Sequence, residues 1–559
     1  MPTIDDIVPD KATYRPGETA RVRVTLVNGG PALTRGRLTL AMTSLDSTVE
    51  QVTQDVELGP NTTMVVELAL RPPPVPLRGY GLDVTLTSGS GEVLAEGSGA
   101  LDVLARWSQA PRYGFLSDFA PGQADIEERC DSLLRYHLNV VQFYDWMWRH
   151  YKLLPPSEEF TDGMGRRLSL SAVQAAIEGV QARGGAAMAY GAVYGAEPEF
   201  AEQHPELVLY DEAGERVSLA GLFYIMNIAP ASPWVPLIVE EFAEAVRQMG
   251  FDGIHLDQYG FPKTAVTASG EKVDLAEHFP LLIDKAREAV VAARPGAGVI
   301  FNAVENWPIE TVAPTSQDAV YIEVWPPDDS YNDLRRLIRE GRRLSGGKQV
   351  ILAAYLSPFA DADAETLPQA ESAALLATAT ISASGGSHLL LGERDGILCD
   401  PYYPKYATLR PAFAAKMRAY YDFLVRYEEF LVSPELEDWE QHEGASCTLQ
   451  GAPHSTEAEA GKVWTTTRRK TGLHIVHLIN LSNQDDVAWN ALRTPPEPLH
   501  DIELTIDGLP PLRQVLLLTP DAHYGRPLPV TWVQEASRVQ VEIPQLSVWA
   551  LVVCVHQTD

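Results

Sequence analysis

The chain has 559 residues, which is too long for one hydrophobic core and predicts about three domains. Its 75 acidic and 44 basic residues give a formal net charge of −31. That charge repels phosphate backbones and anionic lipid, so it argues against nucleic acid and membranes as partners and favours a neutral substrate.

The four cysteines, Cys130, Cys399, Cys447 and Cys554, are spread singly along the chain. No CxxC pair is present, so their spacing predicts neither a zinc site nor a disulfide framework. We expect free, buried thiols and no metal or cofactor. Cys447 and Cys554 fall in the same late region, and a bond between them stays open.

The amino-terminal residues Met1 to Asp6 have no basic start and no apolar run. No apolar stretch of about 18 residues occurs anywhere in the chain. We therefore expect a soluble protein without an export signal in this sequence. Its compartment stays open, because a secreted protein with its signal trimmed looks the same as a cytoplasmic one.

Residues 1–105 are rich in Val, Thr and Leu that alternate with polar residues, as in Ala20 to Leu26 and Met64 to Leu68. Turn clusters such as Asn28-Gly29-Gly30 separate these runs. The pattern predicts a β-sandwich. The opening Tyr14 to Thr19 resembles the first turn of many bacterial immunoglobulin-like modules, which implies a supporting role for this domain.

Residues 106–432 alternate short apolar strands with long amphipathic segments, the pattern of repeated βα units. Eight units predict a TIM (β/α)8 barrel, and a helix from Tyr406 to Phe430 is expected to close it. The predicted strands are Tyr113 to Phe119, Asn139 to Trp146, Ala186 to Tyr194, Gly253 to Tyr259, Val299 to Asn306, Ala319 to Trp325, Val350 to Ser357 and Ser387 to Glu393.

A long stretch, Glu197 to Pro230, follows the third predicted strand and contains an apparent hairpin, Leu207 to Tyr210 with Arg216 to Leu219. Insertions after a barrel strand fall on the catalytic face, so we expect it to border the substrate cleft. A surface elaboration is the alternative. Beyond this barrel the strand pattern returns over residues 433–559, which predicts an antiparallel β-sandwich.

The carboxyl ends of the eight predicted strands carry carboxylates, amides and aromatic rings. Aromatic faces and carboxylates suit a carbohydrate, because sugar rings offer apolar C–H faces and hydroxyls that donate and accept. The predicted site residues are Asp118, Tyr144, Asp145, Trp146, His150, Tyr194, His255, Asp257, Asn302, Glu305, Glu323, Trp325, Tyr355, His388 and Glu393.

Several of these residues have structural alternatives. Asp257 alone could cap a helix or pair with a basic neighbour. His388 is as typical of a packed histidine as of a ligand contact. Trp146, Trp148 and Trp325 could fill the core, although three tryptophans at strand ends favour sugar stacking.

Two carboxylates from different strands, one ionised and one protonated, are the minimum machinery for glycoside hydrolysis. Asp257 ends the fourth predicted strand and Glu323 ends the sixth. Apolar and aromatic neighbours of Glu323 would raise its pKa and suit it to be the acid. His255 and Tyr259 could hold Asp257 ionised, while Glu305 and Asp145 stay open as alternative acids.

Four segments together resemble glycoside hydrolase family 66, which contains endo-dextranases and cycloisomaltooligosaccharide glucanotransferases. They are Asn139 to Lys152, Phe251 to Gly260, Asn302 to Pro308 and Tyr321 to Pro327. Gly386 to Glu393, Asp400 to Pro404 and the three-domain layout extend the resemblance over essentially the whole chain. It implies a retaining mechanism on α-1,6-glucan, with Asp257 as nucleophile and Glu323 as acid/base.

Family members that cyclise their product commonly carry a carbohydrate-binding module inserted in the barrel. The passage from Tyr355 to Leu375 leaves no room for one, which favours an endo-dextranase over a glucanotransferase. The partner implied by the resemblance is dextran or its isomaltooligosaccharides. We expect a monomer, and the balance of hydrolysis and transfer stays open.

Overall fold

The computed structural model describes residues 2–440 and 446–557. Its centre is a parallel sheet of eight strands in which each strand pairs with its neighbours in sequence order. A further parallel bridge joins Phe115, in the first strand, to Gly392, just after the eighth, so that the sheet nearly closes into a barrel. The strands are Tyr113–Leu116, Val140–Phe143, Ala186–Ala192, Gly253–Asp257, Gly298–Val304, Ala319–Glu323, Val350–Ala353 and Ser387–His388.

All eight predicted barrel strands are therefore confirmed, but each ends earlier than predicted. The largest difference is the eighth strand, which ends at His388 and leaves Glu393 in a 3-10 turn, Glu393–Asp395. The reason is that Leu391 forms an antiparallel bridge with Ile397, which turns the chain back before Glu393 reaches the strand end.

Ten α-helices are present in the described residues. They are Ile126–Arg135, Leu170–Ala182, Pro198–Gln203, Trp234–Met249, Phe279–Ala293, Ile309–Val312, Tyr331–Leu344, Leu367–Ala383, Pro411–Arg426 and Glu428–Leu431. Tyr331–Leu344 shows why such segments fold: Leu334, Leu337 and Ile338 lie buried on one side. Its first turn is closed by a capping box, because Asp333 N donates to Ser330 Oγ and Ser330 N donates back to the Asp333 carboxylate.

The helix Trp234–Met249 leads directly into the fourth strand. It ends at Gly250, whose φ of 78° lies in the left-handed region that glycine adopts without strain. At Gly253, a Cβ atom would lie 2.2 Å from the carbonyl oxygen of Gly298, so only glycine lets the fourth and fifth strands approach this closely. These two glycines fix where the fourth strand begins, and hence where Asp257 ends it.

The amino-terminal strands form two antiparallel sheets, of three and four strands, around one shared hydrophobic cluster. They are Pro2–Pro9, Ala20–Asn28, Thr34–Ser44, Ser47–Leu58, Thr62–Leu70, Arg78–Ser88 and Val93–Val103. The immunoglobulin-like assignment and the boundary at residue 105 stay predictions. Ion pairs join this unit to the barrel, including the buried pair of Arg112 with Asp102 at 2.7 Å and the partly buried pair of Arg426 with Asp83 at 2.9 Å.

The carboxyl-terminal strands form two further sheets that share a second cluster, which contains Leu478 and Leu504. The strands are Glu437–Asp438, Ser446–Gln450, His454–Ser455, Lys462–Lys470, Leu473–Leu481, Leu499–Asp507, Leu512–Leu518, Leu528–Pro529, Trp532–Glu535, Arg538–Leu546 and Trp549–His556. The boundary at residue 433 stays a prediction.

The four cysteines are free, as predicted, and three of them are buried, whereas Cys447 is only partly buried. Within residues 2–440 and 446–557, none of the helices combines the length and apolar composition needed to cross a membrane. The predicted closing helix is present as Pro411–Arg426 followed by Glu428–Leu431.

Candidate active site

A cleft of about 670 Å³ opens at the carboxyl ends of the barrel strands. Carboxylates, aromatic rings and a few aliphatic side chains line it. The lining residues are Tyr144, Asp145, His150, Met164, Tyr190, Leu219, Leu222, Phe223, Asp257, Gln258, Tyr259, Val304, Glu305, Glu323, Trp325, Pro401, Tyr402 and Lys405. A volume of this size suits a ligand of a few sugar units.

Asp257 and Glu323 meet in this cleft through Asn302. The Asn302 amide nitrogen donates to Asp257 Oδ1 over 2.7 Å and to Glu323 Oε2 over 2.8 Å. Because both partners are acceptors, the amide must point its NH2 group at them. The two nearest carboxylate oxygens therefore lie no more than about 5.5 Å apart, a spacing within reach of a retaining pair.

Strand alternation explains why these side chains meet. In the fourth strand, Ile254 and Leu256 pack outward against the helices, which turns His255 and Asp257 toward the barrel interior. The fifth strand lies between the fourth and the sixth, so Asn302 is placed between the two carboxylates. The parallel register thus assembles the triad from three separate segments of the chain.

Burial, together with the negative charge of Asp257, raises the pKa of Glu323 to about 7. Burial also raises the pKa of Asp257, but hydrogen bonds from Tyr190 and Asn302 oppose that shift by stabilising the ionised carboxylate. The pair therefore holds one proton near neutral pH, and Glu323 is the better site for it.

Tyr190 is a site residue that the sequence reasoning missed. Its hydroxyl donates to Asp257 Oδ2 over 2.7 Å. Tyr190 lies in the predicted third strand and pairs in register with His255. Counting alternate residues back from the end of the third strand would have placed it in the barrel interior.

Asp145 and Tyr144 line the cleft beside this pair. Burial raises the pKa of Asp145 to about 6, although Arg166 opposes that shift from 3.8 Å. The ring of Tyr144 stacks on Tyr403 with centroids 4.2 Å apart, which fixes its orientation. Both residues thus lie where sugar hydroxyls and a ring face can contact them.

His150 also lines the cleft and is held by Glu197, a second residue that the sequence reasoning missed. His150 Nδ1 lies 3.0 Å from Glu197 Oε1, and the backbone N–H of His150 donates to the same carboxylate. Burial alone lowers the pKa of His150, but the bond to Glu197 outweighs it and the net pKa is raised. His150, which lines the cleft, is therefore protonated and positively charged more readily than a free histidine.

Two of the predicted sugar contacts, Trp146 and Tyr194, lie in the core and outside the cleft lining. Trp146 is fully buried, and its indole N–H donates to the Tyr190 carbonyl, so the prediction that it stacks on sugar is wrong. The physical reason lies at Asp145, whose φ of 47° turns the chain so that Trp146 enters the core beside Phe251. Tyr194 is also buried, and its hydroxyl donates to the Phe261 carbonyl over 2.8 Å.

His255 does not hold Asp257 as predicted. Its Nδ1 lies 2.9 Å from the Tyr113 hydroxyl, deeper in the barrel. Burial lowers the pKa of His255 to about 3, so the ring stays neutral. Tyr190 and Asn302 take the role that the sequence suggested for His255.

Glu393 and His388 also lie away from the cleft. Glu393 is fully buried and accepts hydrogen bonds from Arg129 over 2.7 Å and from Ser117 over 2.9 Å, so its prediction as a sugar contact is wrong. His388 donates from Nε2 to the Ala354 carbonyl over 2.9 Å and is a packed histidine. Burial lowers the pKa of His388 to about 4.

Asp118 is bound by two arginines and does not line the cleft. Its carboxylate accepts a hydrogen bond from Arg394 over 3.1 Å, and its carbonyl oxygen accepts one from Arg129. Asp118 is absent from the cleft lining, so the structure places it beside the site and not in it.

Glu305, Trp325 and Tyr355 flank Glu323. Glu305 is exposed and lies 3.9 Å from Lys263, so it lacks the burial that favours a protonated acid. Trp325 is half-buried, lines the cleft and packs edge-on against Tyr355 with centroids 6.2 Å apart. Both Trp325 and Tyr355 offer hydrogen bonds to Glu323.

The family model described as glycosyl hydrolase family 66 matches residues 9–553. A cycloisomaltooligosaccharide glucanotransferase of Niallia circulans is 24% identical over 703 residues, covering 98% of this chain and 71% of that protein. A dextranase of Streptococcus salivarius is 23% identical over 480 residues, covering 72% of this chain and 56% of that protein.

Among solved structures, a Paenibacillus cycloisomaltooligosaccharide glucanotransferase complexed with cycloisomaltoheptaose superposes with a TM-score of 0.91. It is 23% identical and covers 99% of this chain and 100% of that one. A maltogenic α-amylase of Thermotoga neapolitana superposes with a TM-score of 0.51 over 80% of this chain and 99% of that one, at 10% identity. At these identities the likenesses show a shared fold.

Proposed function

Because the chain belongs to glycosyl hydrolase family 66, we propose that it cleaves α-1,6-glucosidic bonds of dextran by a retaining double displacement. Asp257 is the nucleophile and Glu323 is the acid/base. The observation that carries this assignment is the double hydrogen bond from Asn302, which holds the two nearest oxygens of the carboxylates within about 5.5 Å of each other. An inverting pair needs roughly 6.5–9.5 Å to admit a water molecule between the carboxylates.

In the first step, protonated Glu323 gives its proton to the glycosidic oxygen as the Asp257 carboxylate attacks the anomeric carbon. The C–O bond to the leaving sugar breaks, and a glycosyl ester forms on Asp257. The hydroxyl of Tyr190 and the amide of Asn302 keep Asp257 ionised and aimed until attack. In the second step, Glu323 takes a proton from water, which attacks the same carbon and releases a sugar of retained α configuration.

The cleft supports a neutral glucan as substrate. Its lining combines the rings of Tyr144, Trp325 and Tyr402 with the carboxylates, which suits C–H faces and hydroxyls. The net charge of −31 disfavours anionic polymers. The two relatives, named as a glucanotransferase of cyclic isomaltooligosaccharides and as a dextranase, point to α-1,6-glucan.

Hydrolysis is our first choice over transfer. The connection from the strand Val350–Ala353 to the helix Leu367–Ala383 contains one short 3-10 turn, Ser357–Phe359, and no inserted module. Transfer of the glycosyl unit to a sugar hydroxyl is the second candidate, because relatives that cover nearly the whole chain are glucanotransferases. Both reactions use the same carboxylate pair.

Incubation with dextran, followed by chromatography of the products, tests both candidates. Linear isomaltooligosaccharides are expected from hydrolysis, whereas cyclic or lengthened products indicate transfer. Pullulan and starch serve as controls for linkage. If dextran stays intact, the proposed function is wrong.

A further inference from the structure

Two large apolar side chains are exposed on one rim of the cleft. Met164 is 40% exposed and Leu222 is 47% exposed, and both line the cleft. They come from separate segments of the chain, one after the second barrel strand and one after the third. Two exposed apolar side chains at the edge of one polar cleft offer surface that a ligand can cover.

The turn that carries Met164 is held in place from within. It joins the strands Glu159–Thr161 and Arg167–Ser169. Asp162 Oδ1 accepts hydrogen bonds from Met164 N over 3.0 Å and from Arg166 N over 2.7 Å. The backbone at Met164 is thus fixed before any ligand binds, which lowers the entropy cost of binding.

The turn that carries Leu222 belongs to the insertion after the third strand. It joins Ser218–Leu219 to Phe223–Ile225, and Leu222 N donates to the Leu219 carbonyl over 2.9 Å. Leu219, Leu222 and Phe223 line the cleft, which confirms that the insertion borders it. The predicted hairpin within it is present as a bridge between Tyr210 and Arg216.

The two turns contact each other through Gly163. A Cβ atom at Gly163 would lie 2.7 Å from Glu197 Oε1 and 3.5 Å from the ring of Phe223. Gly163 precedes Met164, and Phe223 follows Leu222, so the two exposed side chains lie on neighbouring turns that line the same cleft. Glu197 also holds His150, which connects this surface to the cleft.

We propose that Met164 and Leu222 form a ledge that binds glucose units on the non-reducing side of the reacting sugar. This inference rests on the proposed function. Glu323 protonates the leaving group, so the leaving sugar lies on the side of the sixth strand. The turns of the ledge follow the second and third strands, on the other side of Asp257, where the glycone extends.

The chemistry of an α-1,6-linked chain suits this ledge. Each linkage contains a C6 methylene group, so apolar surface runs along the backbone of the chain as well as on the ring faces. Aliphatic side chains cover methylene groups well, and Met adapts its shape to a flexible ligand. The ledge therefore favours long glucans over short ones and deepens the proposed specificity.

The test uses a series of 4-nitrophenyl α-isomaltooligosides with two to five glucose units. The leaving group is constant, so every added glucose extends the glycone side. The readout is the ratio of kcat/KM for the longest substrate to that for the shortest. We compare the wild-type protein with Met164→Ser, Leu222→Ser and the double variant.

The wild-type ratio is expected to exceed one. The ratio of the double variant should be about tenfold lower, because two aliphatic side chains no longer cover apolar surface of the ligand. Leu281→Ser is the matched control, because Leu281 is 38% exposed on a barrel helix away from the cleft lining. It should keep the wild-type ratio. A partly unfolded preparation lowers both kcat/KM values and leaves their ratio unchanged.

Two results would overturn the ledge: a double variant with the wild-type ratio, or a wild-type protein that cleaves these substrates without any gain from length. A wild-type protein that cleaves neither this series nor dextran would instead contradict the proposed function. The two failures are thus distinct.

Discussion

The amide nitrogen of Asn302 lies 2.7 Å from the Asp257 carboxylate and also donates to Glu323. One neutral side chain thereby stabilises the ionised form of both acids and sets their separation. A hydrogen bond to the charged form lowers the pKa of a carboxyl group. Asn302 therefore limits how far burial raises the pKa of Asp257 and of Glu323.

Asn302→Ala should lower kcat by about a hundredfold, the cost typical of losing a preorganised donor to a developing or fixed negative charge. The pKa of both acids should rise, so both limbs of the pH profile of kcat/KM should move to higher pH. Asn483→Ala, in the carboxyl-terminal domain, is the control and should keep the wild-type profile. An Asn302→Ala profile with unmoved limbs would contradict this role.

Asp257→Asn should lower turnover of dextran by several orders of magnitude, because the amide is not a nucleophile. The fold should persist, since the side chain faces the cleft and contributes little packing. Turnover and circular dichroism measure the two effects, with exposed Asp485→Asn as the control. More than about a tenth of wild-type activity in Asp257→Asn would remove it from the nucleophile role.

Glu323→Ala should still form the glycosyl-enzyme from a substrate with a good leaving group, because that step then needs no proton donor. Added azide should intercept this intermediate and give a glycosyl azide of retained α configuration, detectable by NMR. The β-azide, or no rescue by any small anion, would count against Glu323 and bring Glu305 forward.

The wild-type kcat/KM should fall about tenfold per pH unit above about pH 7, because Glu323 must be protonated and its pKa lies near that value.

Tyr190→Phe removes a donor to ionised Asp257, so the Asp257 pKa should rise and the acidic limb of the pH profile of kcat/KM should move to higher pH. Tyr524→Phe, at an exposed position, is the control. The hydrogen-bond role of Tyr190 fails if the acidic limb stays in place.

Glu393→Ala should lower the free energy of unfolding by about 3–5 kcal/mol, because buried Arg129 loses its buried ion-pair partner and keeps only a 3.6 Å pair with the partly exposed Asp125. Urea unfolding measures this loss. Glu437→Ala, which breaks an exposed pair with Arg469, should cost at most about 1 kcal/mol. Equal stability losses in the two variants would mean that the Glu393 pair is not buried in solution.

The sequence alone determined the eight βα units and the position of Asp257 and Glu323 at strand ends. It could do so because strand and helix periods are local properties, and because parallel strands bring their carboxyl ends to one edge. The helix Trp234–Met249 followed by Gly250 illustrates this, since an amphipathic period and one glycine place the fourth strand.

The tertiary structure decided which neighbours of the two carboxylates face the cleft. Barrel strands are buried on both faces, so the apolar and polar alternation that reveals direction in an exposed sheet is lost. Trp146 was predicted to stack on sugar and lies in the core. Tyr190, which lies among alanines in the sequence, instead donates a hydrogen bond to Asp257. The left-handed backbone at Asp145 and the register of the third strand against the fourth made that difference, and both depend on contacts between residues far apart in the chain.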